Sequence, residues 1–218
     1  MSLITLVLAT ASMTNADVTV PPMVPFTVGQ VAKSSFKITV QQPGSDKPTV
    51  LPGKLERKDS RTEDKGVRVY TISLDAIDGN DGKSNFELKL DAAGIPISCQ
   101  ELGEKAQQDQ MNSLIFMLQQ PLWPKSTTAS SWKASLPNQS DKTMPISIDC
   151  SAVMDKDGKT ILVTQKIKPT KEIEAAGLSV QSIVKVDAKT GKVLSVHEVL
   201  EVKMEKSDNL KVQFDIDN

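Results

Sequence analysis

Between Ser182 and Glu205 the chain reads SIVKVDAKTGKVLSVHEVLEVKME. Apolar residues fall at every second position on both sides of Asp187-Ala-Lys-Thr-Gly191. Successive strand side chains point to opposite faces, so this alternation puts one face of each arm in a core and the other in water. The Asp-to-Gly segment supplies turn residues, and the stretch reads as two strands joined by a tight turn. A fainter copy, NFELKLDAAGIPIS, lies at Asn85–Ser98 and again runs from a strand through Asp-Ala to a glycine, Gly94, and into a second strand. The same period of two recurs at Phe36, Ile38 and Val40, at Met144, Ile146, Ile148, Cys150 and Ala152, and at Leu210, Val212, Phe214 and Ile216. A chain with this pattern over most of its length is confined to antiparallel β architectures with one buried face.

Other segments punctuate the pattern. Val18–Pro25 carries three prolines, which fix φ and remove ladder donors, so it is expected as an extended lead-in or an edge. Thr49–Arg57 is expected as a strand with a bulge or an edge position at Pro52-Gly53, followed by a polar loop over Lys58–Gly66. After Ser98 the alternation stops. Met111, Leu114, Ile115 and Leu118 share one helical face, which predicts one α-helix near 105–119, ended by Pro121 and Pro124, with Ser98–Glu101 as a candidate capping box before it. Gln30–Asp91 and Ser131–Asp187 have similar length and the same order of events. The expectation is a mainly β fold, a strongly curved antiparallel sheet or two packed sheets, built from two similar β modules at 17–120 and 121–218. The modules pack as one domain or as two.

Composition narrows the function. The 218 residues carry 26 Lys and Arg against 27 Asp and Glu, for a net charge of −1, which argues against a nucleic-acid partner. Five Phe, two Trp and one Tyr are too few for a stacking platform. Leu3–Ala11, LITLVLATA, has the length of a signal-peptide apolar region, with small residues for cleavage after Ala11 or Ala16; it is too short to span a bilayer. Residues 1–16 are therefore expected as a signal peptide and the protein as exported, to a periplasm or beyond the cell. The two cysteines, Cys99 and Cys150, each fall on the apolar parity of a strand, as a disulfide or as two buried thiols.

Little in the sequence carries chemistry. His197 is the only histidine and shares a parity with Ser195, Glu201 and Lys203, a solvated face. Asp75–Gly82 and Asp155–Gly158 contain fragments of calcium loops but not the full ligand ladder, and Asp and Gly serve hairpin turns in their own right. No nucleotide-binding, nucleophile-elbow or zinc-protease motif occurs, so no catalytic residue, metal or cofactor is expected and the protein is not expected to be an enzyme. Two features stand apart. Glu198 lies on the parity of Val196, Leu200 and Val202, which aims its carboxyl inward unless a bulge, an edge position, a partner such as Lys185 or a wet interior relieves it. Trp123 and Trp132, with Phe116 and Met117, are placed to line a groove between helix and sheet.

Gly29-Gln30 before a strand, Leu122-Trp-Pro before Ser131-Trp132, and Asp187-Ala-Lys-Thr-Gly191-Lys-Val-Leu in the second half resemble short motifs of uncharacterised β-rich exported proteins of planctomycete-type bacteria. Ser131-Trp132 stands where that group has Gly-Asp-x-Trp. At fold level, long antiparallel strands with one helix resemble the lipoprotein-carrier (LolA-like) half-barrel. Together these imply a non-catalytic envelope protein holding a lipid, another apolar ligand or a lipidated partner in a β-sheet concavity, with Phe116, Met117, Trp123, Trp132 and Glu198 as the candidate lining. The alternative is a structural or protein-interaction β module that binds an envelope protein partner and no small molecule.

Overall fold

The computed structural model describes residues 17–76, 84–103, 110–138, 145–168, 177–203 and 209–218. In chain order the strands are β1 (Val18–Thr19), β2 (Val31–Gln41), β3 (Thr49–Thr62), β4 (Arg68–Ala76), β5 (Ser84–Leu90), β6 (Pro96–Leu102), β7 (Thr128–Ala129), β8 (Ser131–Leu136), β9 (Ile146–Met154), β10 (Thr160–Ile167), β11 (Leu178–Asp187), β12 (Val193–Val202) and β13 (Leu210–Asp217). Helix α1 (Gln110–Leu118) stands between β6 and β7.

Eleven strands make one antiparallel sheet in the order β6-β5-β4-β3-β2-β13-β12-β11-β10-β9-β8. It curls into a nearly closed barrel. β1 and β7 form a separate two-stranded ribbon. Each half of the chain is a meander, and the β2–β13 pairing joins them: Ile38 faces Phe214 and Phe36 faces Ile216. The Phe36 and Phe214 rings stack at 5.3 Å across this seam. One hydrophobic cluster runs through both halves, from Leu55 and Ile72 to Val184 and Val196.

The two Asp-Ala-to-Gly stretches are the fourth hairpins of their meanders, β5–β6 and β11–β12. Both use the aspartate as a local acceptor. The Asp91 carboxylate accepts from the backbone N–H of Ala93 and Ile95, and that of Asp187 from Lys189 and Thr190. The extra residue in the second copy lengthens the turn by one position: the backbone bond Gly94-to-Asp91 becomes Gly191-to-Asp187, both at 2.9 Å.

Three expectations need correction. β3 runs through Lys58 to Thr62, which was expected as loop; these residues pair with β4, and Arg61 bonds Glu63 and Glu87 on the outer face. Lys58 and Arg61 are polar because they face outward, and Asp59 points inward, so the polarity is not a break in the strand. The register shift lies between Asp59 and Arg61, not at Pro52-Gly53. Gly53 is there for space: a Cβ on it would lie 2.1 Å from the Phe36 ring. Ser98–Glu101 is not a cap. It sits in β6, with Cys99 opposite Leu88, so its hydroxyl and carboxylate serve a strand.

The helix is seen over Gln110–Leu118, and the expected residues 105–109 lie outside the described ones. Phe116 and Met117, off the predicted apolar face, are buried along with Leu114 and Leu118. The apolar last turns, Leu114–Leu118, are largely buried, as fits a helix end covered by a curled sheet. It packs against β6, and Phe116 meets Phe86 of β5 at 4.5 Å. Its last carbonyl, at Leu118, accepts from Gln165 Nε2 (2.8 Å) and Ser182 Oγ (3.0 Å). Gln165 Oε1 in turn accepts the N–H of Leu122 at 2.7 Å, and Trp132 Nε1 donates to the Leu122 carbonyl at 2.7 Å. Side chains of the sheet thus satisfy backbone groups that the end of a helix leaves open. Among the described residues no helix is long and apolar enough to cross a membrane.

Candidate ligand cavity

The proline-rich segment forms a strap across one end of the barrel. It starts in the ribbon, where Val18 pairs with Ala129 and is buried. Val20 N–H then donates to the Thr127 carbonyl. The three prolines hold the next residues extended without ladder partners. The strap passes over the two Asp-Ala-to-Gly turns, and each glycine is where the backbones meet. A Cβ on Gly191 (φ +72°) would lie 2.0 Å from the Pro22 carbonyl oxygen, and one on Gly94 (φ +83°) would lie 2.9 Å from Met23 Sδ. Arg68 Nη1 donates to the Val24 carbonyl at 3.0 Å, and Phe26 meets Tyr70 edge-on at 5.1 Å. Asp59 anchors the far end: its carboxylate accepts Thr27 N–H at 3.0 Å, and its backbone bonds Gly29 and Gln30.

Beneath this strap is a cavity of about 540 Å³. Its apolar walls include Leu55, Tyr70, Ile72, Leu90, Trp123 and Val196. Arg57, Asp59 and Arg68 also line it. These three sit on the inward parity of β3 and β4, in register with apolar neighbours: Arg57 with Ile72, Asp59 with Tyr70, Arg68 with Leu90. Arg57 stacks on the Tyr70 ring at 5.1 Å and Arg68 on Phe26 at 5.8 Å. Burial raises the Tyr70 phenol above its ordinary range, against the opposing pull of Arg57.

The sequence candidates fall at different depths. Trp123 is in the cavity wall, and Trp132 stacks behind it at 6.0 Å. Phe116 and Met117 are core, 2% and 1% exposed, and do not line the cavity, which opens past the end of the helix at Gln119–Pro121. Glu198 lies one inward row below Val196, between Ser182 and Phe214. It is 2% exposed, and neither carboxyl oxygen has a hydrogen-bond partner. Three of the reliefs expected for it, a bulge, an edge position and Lys185, are not there. β12 has strands on both sides, the register shift lies at Lys185/Val186, and Lys185 is on the opposite face from Ser182. Burial pushes the Glu198 carboxyl well above the usual carboxylate range, which favours its neutral form. Gln119 Nε2, at the cavity wall, is likewise buried with no acceptor.

Compared with protein-family models and with curated proteins, the chain matches none. The reading of the site therefore rests on its geometry.

Other candidates resolve into scaffold. His197 is on the outer face, with Nδ1 2.6 Å from Asp215 Oδ1. Burial works to raise the Asp215 carboxyl, but hydrogen bonds from His197 and Gln213 outweigh it and the net shift is downward. In Asp155–Gly158 the Asp157 carboxylate accepts from Lys159 N–H, Thr160 N–H and the Thr160 hydroxyl, which is turn chemistry. The other calcium-like stretch falls mostly on 77–83, outside the described residues. Among the described residues no three His, Cys, Asp or Glu side chains gather as a metal site. Cys99 and Cys150 are buried thiols that do not bridge each other, each pushed up to about 12 by burial.

Sequence reading missed Arg57, Asp59 and Arg68. The signal that singled out Glu198, charge on an apolar parity, marks them as well: Arg57 and Asp59 follow Leu55, and Arg68 precedes Tyr70, Ile72 and Leu74.

Proposed function

We propose that the protein is a non-catalytic, exported envelope protein that holds an apolar ligand, or the lipid of a lipidated partner, inside its curled sheet. The observation that carries this is the cavity of about 540 Å³ with Leu55, Ile72, Leu90, Trp123 and Val196 in its walls. Small-molecule sites in proteins fall at about 300–1,000 Å³, mostly apolar with a few convergent polar groups. A strap of prolines and a stacked tryptophan pair give such a site a cover and a stiff wall. Export is supported by the apolar run Leu3–Ala11 and the small residues at Ala11 and Ala16 that suit cleavage. The two meanders, each with its Asp-Ala-to-Gly turn at the fourth hairpin, support descent from one repeated β module.

The test is native mass spectrometry of protein purified from its own envelope. The reading expects a retained apolar adduct that is lost when Val196→Trp fills the cavity. A bare chain that instead captures an envelope protein through its surface would favour a purely structural module.

A further inference from the structure

The cavity has mixed walls: beside Leu55, Ile72 and Val196, two arginines, Arg57 and Arg68, reach it from the inward face of the sheet. An inward charge on a sheet is costly unless it is paired. Among the described residues, no carboxylate pairs with Arg57 or Arg68; the ion pairs of the sheet lie elsewhere, at Glu56, Glu63, Glu87, Glu201 and Asp215. The nearest inward acid, Asp59, accepts Thr27 N–H at Oδ2 and makes no ion pair with either arginine. Arg68 uses one donor on the Val24 carbonyl and lies beside the Tyr70 hydroxyl. Arg57 makes no hydrogen bond among the described residues and is held only by the Tyr70 face. A guanidinium carries five donors in a rigid fork that matches the oxygens of a carboxylate or phosphate. Stacking on Tyr70 and Phe26 orients both planes and leaves most of that fork unspent. Lys192 lines the same cavity.

We infer that this arginine pair is an anion site, and that the ligand is a single-chain amphiphile whose carboxylate or phosphate head meets Arg57 and Arg68 while its chain lies on Leu55, Ile72 and Val196. This rests on the ligand-holding reading and narrows it to a chemical class. The head group comes under the strap beside Val24, so the Arg68–Val24 bond ties strap position to head-group occupancy.

Binding of laurate, dodecyl phosphate, dodecanol and inorganic phosphate is measured by calorimetry on the full chain, with Arg57→Gln, the double variant R57Q/R68Q and the outer-face control Lys166→Gln. Both anionic amphiphiles should bind at least about tenfold tighter than dodecanol, the scale of a charge-assisted fork. That ratio should fall to within about threefold in R57Q/R68Q and partway in Arg57→Gln, and should persist in Lys166→Gln. Arg57→Gln touches no bond to the strap, so a folding defect of the double variant leaves the result readable. Equal binding of laurate and dodecanol overturns the anion site and leaves the apolar cavity standing. Binding of none of the three chains overturns the cavity reading itself. Inorganic phosphate binding as tightly as dodecyl phosphate overturns the amphiphile.

Discussion

Ser182 stands directly across from Glu198 on the inner face of the sheet, yet its hydroxyl donates to the Leu118 carbonyl, 3.0 Å away, and leaves the carboxyl beside it without a bond. The sheet spends its polar side chains here on the end of the helix. Glu198 is left buried without a partner, which raises its carboxyl and favours the neutral form.

The pH dependence follows from that. The unfolded glutamate ionises near its ordinary value while the folded one keeps its proton, so between the two pKa values the folded state binds more protons and stability falls as pH rises. Below that window Glu198 contributes no slope, and above it the penalty is constant. Glu198→Gln should remove about 1.4 kcal/mol per pH unit of downward slope within the window. Glu198→Leu, which removes the orphaned oxygens, should stabilise the protein by about 1–3 kcal/mol at neutral pH. Urea unfolding from pH 4 to 9 measures both; parallel curves for wild type and Glu198→Gln would contradict the assignment.

Gln165 should behave in the opposite sense. It holds Leu122 N–H and the Leu118 carbonyl with one buried amide. Gln165→Leu leaves the Leu122 donor buried and open, and should cost about 2–4 kcal/mol. Loss of the stacked Trp123–Trp132 signal in near-ultraviolet dichroism, with the strand signal kept, would localise the damage to the helix end.

The strap can be tested at one atom. Gly191 and Gly44 have the same φ of +72°, but only a Cβ on Gly191 meets the strap, at the Pro22 carbonyl; nothing lies within 4 Å of Gly44. Gly44→Ala therefore measures the left-handed penalty alone, about 1 kcal/mol. Gly191→Ala should cost more and expose Val20–Pro25 to limited proteolysis. Equal effects of the two would mean that the strap does not rest on Gly191.

Both thiols are buried and pushed up to about 12, so thiolate is scarce across the physiological range. Folded protein prepared without reductant should resist iodoacetamide, then yield two thiols when unfolded. Recovery of none would show a disulfide.

Much of this architecture was legible in the chain. Period-two alternation foretold the antiparallel sheet, and the pair of Asp-Ala-to-Gly turns foretold hairpins, because both signals are local. The contact of those turns with the strap was not legible. Nothing near Gly94 or Gly191 records that Met23 and Pro22 lie over them, since that depends on how far the sheet curls. Lys58–Thr62 misled because a polar outer face combined with an inward charge, Asp59, erases the alternation and reads like a loop. Phe116 and Met117 are buried beside Leu114 and Leu118, a depth that the spacing of apolar residues along the helix does not record. Glu198 was visible by parity, and the same test extended to Arg57, Asp59 and Arg68 would have marked the charged part of the cavity wall.

The central claim is that the space beneath the strap holds an acyl chain. Trp123 lines that space and Trp132 stacks on it, and these are the two tryptophans of the chain, so intrinsic fluorescence reports the site. A bromine-labelled fatty acid should quench it saturably at one molecule per chain, and Val196→Trp or Ile72→Trp, by filling the cavity, should abolish saturation. Quenching that never saturates, or that survives the filled cavity unchanged, would contradict the account.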